Sequence, residues 1–174
     1  MGIAKSFNSD RIFGITAFLI SVGTFVIYIY EARLIQKQQY ASVLPYLEMW
    51  NSSPRESTYK LILVNNGVGP AFIKDIRVHY KGKAYIGDHT DFYQTAIFPK
   101  DTIYSLTSNV RSGRVIPAGQ TIELISIEGS QKDAEKMRNL FGNQTAKLEI
   151  TYASVYEETW KLSGMENPPQ KQDK

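Results

Sequence analysis

Apolar positions are distributed unevenly along the chain, and the longest apolar run lies near the N-terminus. Residues 12–30 are nineteen positions without a charged residue, Pro, Asn, Gln or His. As an α-helix this run would span roughly 28 Å, close to the roughly 30 Å hydrocarbon core of a bilayer. Arg11 precedes the run, and Tyr28, Tyr30 and Glu31 lie at its other end, as is typical of membrane interfaces. The pattern therefore predicts a single transmembrane helix over 12–30.

A cleaved signal peptide and a buried core helix are the two alternatives for such a run. A signal peptide has an apolar centre of roughly 7 to 15 residues, followed by a small-residue cleavage site. Here the run is longer, and the bulky residues Tyr28 and Tyr30 close it. A core helix would need a domain large enough to surround it, which one small β-rich domain is not. We therefore expect an uncleaved single-pass anchor.

Basic residues on the two sides of the run decide its expected orientation. Lys5, Arg11 and the α-amino group precede the run, whereas Arg33 and Lys37 follow it. The positive-inside rule then predicts that the tail 1–11 is cytoplasmic. The domain beyond the helix is expected in the periplasm or outside the cell, anchored to the cell inner membrane.

Small residues form a stripe along the predicted helix. Gly14, Ala17, Ser21 and Thr24 follow each other at spacings of three, four and three residues, which places them on one helical face. Such a stripe lets two membrane helices approach closely. It predicts self-association or contact with a partner helix, although small residues are also common in membrane helices for other reasons. The expected partners are therefore the lipid bilayer and a second protein chain.

The pattern beyond the apolar run is different. Helix formers without Gly or Pro predict a helical neck over 31–44. After Pro45 apolar and polar residues alternate, which is typical of β-strands. Seven or eight strands are predicted, among them 58–65, 120–127, 147–152 and 155–162, a hairpin over 72–87 that turns at 81–83, and a short strand over 102–107.

One short helix is predicted within this β-rich region, over 131–141. Ser130 and Asp133 have the spacing of a capping box, and Gly142 is expected to end the helix. Many short strands with one helix predict a mainly β fold class, in which an antiparallel β-sandwich over 45–164 follows the transmembrane α-helix. Residues 165–174 contain two prolines and no periodicity, and are predicted to be a disordered tail.

Three segments of the chain, 61–78, 115–127 and 148–163, together resemble bacterial single-pass membrane proteins with an immunoglobulin-like, cell-adhesion-type outer domain. The Asn-x-Gly that ends 63–67 and the Pro-x-Gly of 117–119 are similar to the strand ends and turns of such domains. The resemblance implies an immunoglobulin-like sandwich, of which this chain has one rather than the several found in multi-domain adhesins. It implies an architecture and no catalytic residue.

The length, net charge and cysteine content of the chain limit the functions that it can have. The 174 residues allow about one domain, and 20 basic against 17 acidic residues give a net charge of +3. This balance does not favour a nucleic-acid-binding protein, so we expect no nucleic-acid partner. The absence of cysteine excludes disulfides, thiolate metal sites and cysteine nucleophiles.

The search for catalytic chemistry centres on the two histidines, His79 and His89. Asp88, His89 and Asp91 could offer ligands to a divalent ion and serve a metal-dependent hydrolase, but their spacing matches no established site. A turn stabilised by aspartate side chains is the alternative. No serine-hydrolase motif or phosphate-binding loop is present. We therefore expect no catalytic residue, no metal, no cofactor and no enzymatic activity.

Two groups of side chains are candidates for a partner surface. Arg77, His79 and Lys81 form a cationic stripe on one predicted strand, for which a solvated sheet face is the alternative. Phe92, Tyr93 and Phe98 lie in the long connection after the hairpin, and they either contact a partner or close one end of the sandwich.

The sequence thus predicts a membrane-anchored, non-enzymatic interaction module that displays a β-sandwich domain to a protein partner. The alternative is a regulatory or effector subunit of an oligomeric membrane complex, in which the transmembrane helices themselves assemble.

Overall fold

The structure, a computed structural model, describes residues 9–97 and 105–172 of the chain. The chain divides into two compact units, Met1–Ala41 and Ser42–Lys174. Residues 1–8 of the predicted tail 1–11 lie outside the described residues, and so do residues 102–104 of the short strand predicted over 102–107.

Helix α1, Ser9–Ser42, builds the first unit and is 34 residues long. Its segment Arg11–Ser42 is long and apolar enough to cross a membrane, and the most apolar 18 residues of that segment have a mean hydropathy of 2.3 and are not buried. Phe13 and Phe18, for example, are 74% and 68% exposed. The predicted apolar helix is thus present, and its apolar window is exposed in the described part of the chain.

The second unit contains ten strands in the described part of the chain, two short α-helices and two π-helical turns. The strands are β1 (Leu47–Ser52), β2 (Thr58–Asn65), β3 (Ala71–Tyr80), β4 (Lys83–Ile86), β5 (Leu106–Thr107), β6 (Val115–Ile116), β7 (Thr121–Glu128), β8 (Ala146–Ala153), β9 (Thr159–Ser163) and β10 (Gln170–Gln172). The helices are α2 (His89–Phe92) and α3 (Gln131–Met137), followed by π-helical turns at Tyr93–Ile97 and Arg138–Gly142.

All strand pairs are antiparallel and fall into two sheets. One sheet has the order β1-β2-β7-β5, and the other has the order β10-β9-β8-β3-β4, with β6 also paired to β3. Both sheets contribute to one hydrophobic core. Strand β8 shows why: Ala146, Leu148, Ile150 and Tyr152 alternate with more exposed residues, so one face of the strand is apolar. The predicted antiparallel, sheet-rich fold is confirmed.

The predicted turn and helix cap are also present. Lys81 and Gly82 both have positive φ, 49° and 76°, as the two central residues of a type I′ hairpin turn require. The Ser130 hydroxyl accepts a hydrogen bond from the Asp133 amide at 3.3 Å and donates one to the Asp133 carboxylate at 2.8 Å. These bonds satisfy the first turn of α3.

Four predictions for the domain are corrected by the structure. The domain has two short α-helices instead of one, and Gly142 belongs to the π-helical turn beyond α3, while Gln144 has the positive φ. Strand β1 was not predicted. The tail 165–174, predicted to be disordered, contains β10, because Gln170–Gln172 pairs with β9 through backbone hydrogen bonds that do not require apolar side chains.

A buried asparagine fastens the start of the domain to two loops. The Asn65 side chain is completely buried. Its Oδ1 accepts hydrogen bonds from the Tyr46 and Gly67 amides, and its Nδ2 donates to the carbonyl oxygens of Gly69, Ile116 and Pro117, at distances of 2.9 to 3.2 Å. A single side chain therefore ties together the chain before β1, the β2–β3 loop and the β6–β7 turn.

The loop between β2 and β3 lies against backbone, which explains its two glycines. The amide groups of Val68 and Gly69 donate to the Leu44 carbonyl at 3.0 and 3.3 Å. A Cβ atom on Gly69 would collide with the Val43 backbone, which cannot move aside like a flexible side chain.

Candidate functional site

The connection that follows β4 has the most unusual local structure in the domain. Gly87, with a φ of 116°, turns the chain in a way that only glycine adopts without strain. Asp88 then caps α2, since its Oδ1 accepts hydrogen bonds from the Thr90 and Asp91 amides at 2.9 and 3.1 Å. The π-helical turn Tyr93–Ile97 continues directly from α2. We call residues 88–97 the connecting segment.

The aromatic residues of the connecting segment face the core. Phe92 and Tyr93 are only 3% and 8% exposed. The Phe92 ring meets the rings of Tyr80, Tyr85 and Phe141 edge to face, at centroid distances of 5.6, 5.1 and 6.4 Å. Burial thus leaves neither Phe92 nor Tyr93 free to form the predicted partner surface. The third predicted residue, Phe98, lies outside the described residues.

His89 is buried beside these rings. Its Nε2 atom lies 2.7 Å from the carbonyl oxygen of Leu124 on β7. Because a carbonyl can only accept, Nε2 carries the proton and donates it, and Nδ1 is the acceptor nitrogen of a neutral imidazole. Burial lowers the pKa of His89, while the charges of Asp88 and Asp91 act in the opposite direction. Burial of the ring therefore favours its neutral form in the folded domain.

The predicted cationic stripe is paired with acidic groups. Arg77 lies 2.5 Å from the Asp75 carboxylate, and His79 lies 3.5 Å from Glu149 on the neighbouring strand β8. Lys81 lies over the Tyr80 ring, 5.1 Å from its centroid. The three cationic residues do lie along one strand and its turn, but two of them have carboxylate partners. The stripe consequently presents little net positive charge.

The stripe of small residues lies on the exposed surface of α1. At about 100° of rotation per residue, Gly14, Ala17, Ser21 and Thr24 fall within an arc of roughly 80° on the helix. The Thr24 hydroxyl donates a hydrogen bond to the Ile20 carbonyl at 2.8 Å, so its polar group is satisfied within the helix. The four residues form a continuous face without a bulky side chain.

An open cleft of about 360 Å³ adjoins the connecting segment. It lies beside the β3–β4 hairpin and the loop 111–112. The residues that line it are Asp75, Ile76, Ile86, Gly87, Asp88, Asp91, Arg111 and Ser112. Carboxylates, a guanidinium and an exposed isoleucine therefore share one concave surface, which suits contact with a polar partner surface that also has an apolar group.

Sequence reasoning singled out Asp88 and Asp91 but missed the rest of the cleft. Arg111 is distant from them in the chain, and no local pattern distinguishes it from an ordinary loop residue. Strand pairing and the bond from the Ser112 hydroxyl to the Lys74 carbonyl at 2.6 Å hold this loop beside β3. Among the residues that the structure describes, no group of three or more His, Asp or Glu side chains is placed to hold a metal ion.

Comparison with known proteins gives no relative: the chain matches no protein-family model, and no curated protein is significantly similar to it.

Proposed function

We propose that the protein is a membrane-anchored, non-enzymatic interaction module, in which α1 crosses a bilayer and the domain binds a protein partner. The observation that carries the proposal is that the uncharged run 12–30 lies in one continuous, exposed helix, while the domain has a complete core without it. A bilayer supplies the apolar surroundings that this helix lacks, and a helix satisfies its own backbone there. The basic residues favour a cytoplasmic N-terminus in the cell inner membrane and a periplasmic or extracellular domain.

The strand order supports an immunoglobulin-like domain, of the kind that the sequence resembles in bacterial single-pass proteins. Constant-type immunoglobulin domains have strands A, B, E and D in one sheet and C, F and G in the other. If β1, β2, β3, β4, β5, β7, β8 and β9 are taken as A, B, C, C′, D, E, F and G, the two sheets have the orders A-B-E-D and G-F-C-C′. Strands β6 and β10 are then additions to this arrangement.

Both histidines make contacts within the domain, which agrees with a binding role. His89 is fixed to the Leu124 carbonyl in the core, and His79 faces Glu149 on a sheet surface. By contrast, Ile86, the last residue of the edge strand β4, lines the cleft and is 85% exposed. Exposed apolar side chains next to charged groups are common in partner interfaces. The cleft is therefore the contact surface that we propose.

Site-specific photo-crosslinking in native membranes tests this proposal. A benzophenone amino acid at Ile86 should give a discrete crosslinked adduct of the full chain with its partner. The matched control carries the same probe at Ala118, an exposed residue of the β6–β7 turn, and should give no such adduct. Equal yields at both positions, or no adduct at Ile86, would contradict the proposed contact surface.

Cysteine labelling tests the proposed topology. The chain has no cysteine of its own, so Ser6→Cys and Ala118→Cys each introduce one unique thiol. In intact cells a membrane-impermeant thiol reagent should label the variant at Ala118 and leave the variant at Ser6 unlabelled. Labelling only at Ser6 would reverse the orientation.

The alternative, a regulatory or effector subunit whose helices assemble, is supported by the small-residue face of α1. Replacing 12–30 with a plain Leu/Ala span separates the two functions, because it keeps the anchor and removes that face. An interaction module should retain the crosslink at Ile86 after this replacement. Loss of both the crosslink and helix assembly would favour the alternative.

A further inference from the structure

A hydrogen bond of the connecting segment joins the two sheets. The segment leaves β4 of one sheet, and His89 donates its Nε2 proton to Leu124 on β7 of the other sheet. The ring is 2% exposed, and Nδ1 has no hydrogen-bond partner among the described residues. This site therefore accommodates an imidazole with one proton, whereas a second proton on Nδ1 would be buried with no acceptor in place.

The charges around the ring come from its own segment. Asp88 is completely buried, its Oδ1 is occupied by the helix cap, and its Oδ2 has no hydrogen-bond partner in the described part of the chain. Asp91 is exposed and acts on the ring more weakly. Strand β7 contributes the Leu124 carbonyl. The attraction of Asp88 for a protonated ring is smaller than the opposing effect of burial.

We propose that residues 88–97 form an acid-sensitive latch, which neutral His89 holds against β7 and which protonation of His89 releases, exposing Phe92 and Tyr93. Packing of Phe92 and Tyr93 in the core also holds the segment, but the hydrogen bond to Leu124 is made by His89, whose buried Nδ1 has no partner for a second proton among the described residues. Once the segment leaves the core, water can solvate the doubly protonated ring. Release would also expose two aromatic rings beside the cleft, so acidification would change the surface that the domain presents. This inference goes beyond the proposed function and does not depend on it.

The direction of the pH dependence follows from proton binding. A released, solvated histidine has an ordinary pKa of about 6.5, while burial lowers the pKa of His89 in the closed latch. Below about pH 6.5 the released state binds more protons than the closed state, so acid favours release. The ratio of closed to released molecules should fall between pH 7.5 and 5.5, by at most about tenfold for a single histidine, and it should be independent of pH above this range.

Hydrogen exchange of the full chain in lipid nanodiscs tests the latch. Protection factors, which already correct for intrinsic exchange, are compared between pH 7.5 and 5.5. We expect the protection of amides 89–97 to fall over this range, by at most about tenfold, while amides of β3 and β8 keep their protection. In His89→Gln the side-chain amide can still donate to Leu124 but cannot titrate, so protection of 89–97 should not depend on pH. His79→Gln removes the exposed histidine and should respond like the natural protein.

Three results would overturn the proposal. The first is unchanged protection of 89–97 in the natural protein at pH 5.5. The second is an equal fall in protection in His89→Gln. The third is a loss of protection that extends equally to β3 and β8, which would show acid unfolding of the whole domain. If His89→Gln does not fold, the ring resonances of the natural protein decide: a His89 ring that titrates near pH 6.5 while the segment stays protected would also overturn the latch.

Discussion

Leucine has opposite surroundings in the two units of this protein. Leu19 in α1 is 62% exposed, whereas Leu148 in β8 is 1% exposed. In the domain, apolar side chains are covered by other parts of the same chain, so the sequence itself supplies the medium that stabilises them. In α1 the described residues leave such side chains exposed, and the proposed membrane span would cover them with lipid. The same residue type therefore stabilises the fold in one unit and would favour insertion into a bilayer in the other.

Charged substitutions in the middle of α1 should have the largest effect, because they interrupt the apolar surface that distinguishes α1 from the domain. Leu19→Arg combined with Val26→Arg places two charges inside the proposed span, at a total insertion penalty of about 5 to 7 kcal/mol. The double variant should leave the membrane pellet after a carbonate wash and high-speed sedimentation. Leu106→Arg combined with Val155→Arg, at exposed positions of the domain, should sediment like the natural protein. Retention of the Leu19/Val26 variant in the pellet would argue against a membrane span.

The two leucines of the comparison can be truncated in parallel. Leu148→Ala should lower the free energy of unfolding of the domain by about 4 kcal/mol, because it leaves a cavity in the core. Leu19→Ala should leave that free energy unchanged within about 0.5 kcal/mol. Urea unfolding of the full chain in detergent micelles, followed by Trp fluorescence, measures both, since Trp50 and Trp160 both lie in the domain. Similar losses in the two variants would show that α1 contributes to the stability of the domain.

Two neighbouring asparagines allow the contributions of a buried and an exposed polar side chain to the stability of the domain to be compared. Asn65→Ala should destabilise the domain by about 3 kcal/mol, because it leaves several buried backbone groups without partners. Asn66→Ala removes only an exposed bond of 2.7 Å to Glu48 and should have an effect below about 1 kcal/mol. The same urea titration measures both variants, and equal effects would contradict the fastening role of Asn65.

A smaller effect is expected at α3, which at seven residues cannot rely on length as α1 does. Ser130→Ala removes the cap and should reduce the free energy of unfolding by about 1 kcal/mol. Ser130→Gly should reduce it by only a few tenths of a kcal/mol, roughly 0.3, because glycine is itself tolerated at this position. A larger loss for the glycine variant would show that the hydroxyl acts through some contact other than the cap.

Local patterns sufficed to predict the elements that carry a strong periodicity. The apolar run of α1, the alternation of 58–65 and the capping box at Ser130 are each encoded by neighbours in the sequence. Strand β1 could have been found by the same rule, because Leu47 and Met49 alternate with Glu48 and Trp50. Strand β10 could not, since Gln-Lys-Gln has no apolar alternation and its pairing with β9 depends on the tertiary fold.

The candidate surfaces were harder to predict because they depend on distant partners. Phe92 and Tyr93 lie in a polar connection, and only the packing of Phe92 against Phe141 and other rings shows that the segment turns inward. His79 lies beside Glu149, a residue 70 positions later in the sequence that strand pairing brings close. The cleft likewise combines Asp88 with Arg111 from a different loop. Contacts of this kind follow from the assembled sheets rather than from any local pattern.

Strand β10 forms one edge of the larger sheet and pairs with β9. Strand β10 is short and consists of Gln170, Lys171 and Gln172, and Lys171 is held by Glu158 at 2.6 Å and lies 5.7 Å from the centre of the Trp160 ring. Such a polar rim is a poor template for a neighbouring molecule, whereas the unpaired backbone of β9 would be a good one. A chain truncated before Gln170 would leave the backbone of β9 unpaired at this edge. We therefore expect the truncated protein to precipitate at a lower protein concentration than the natural protein.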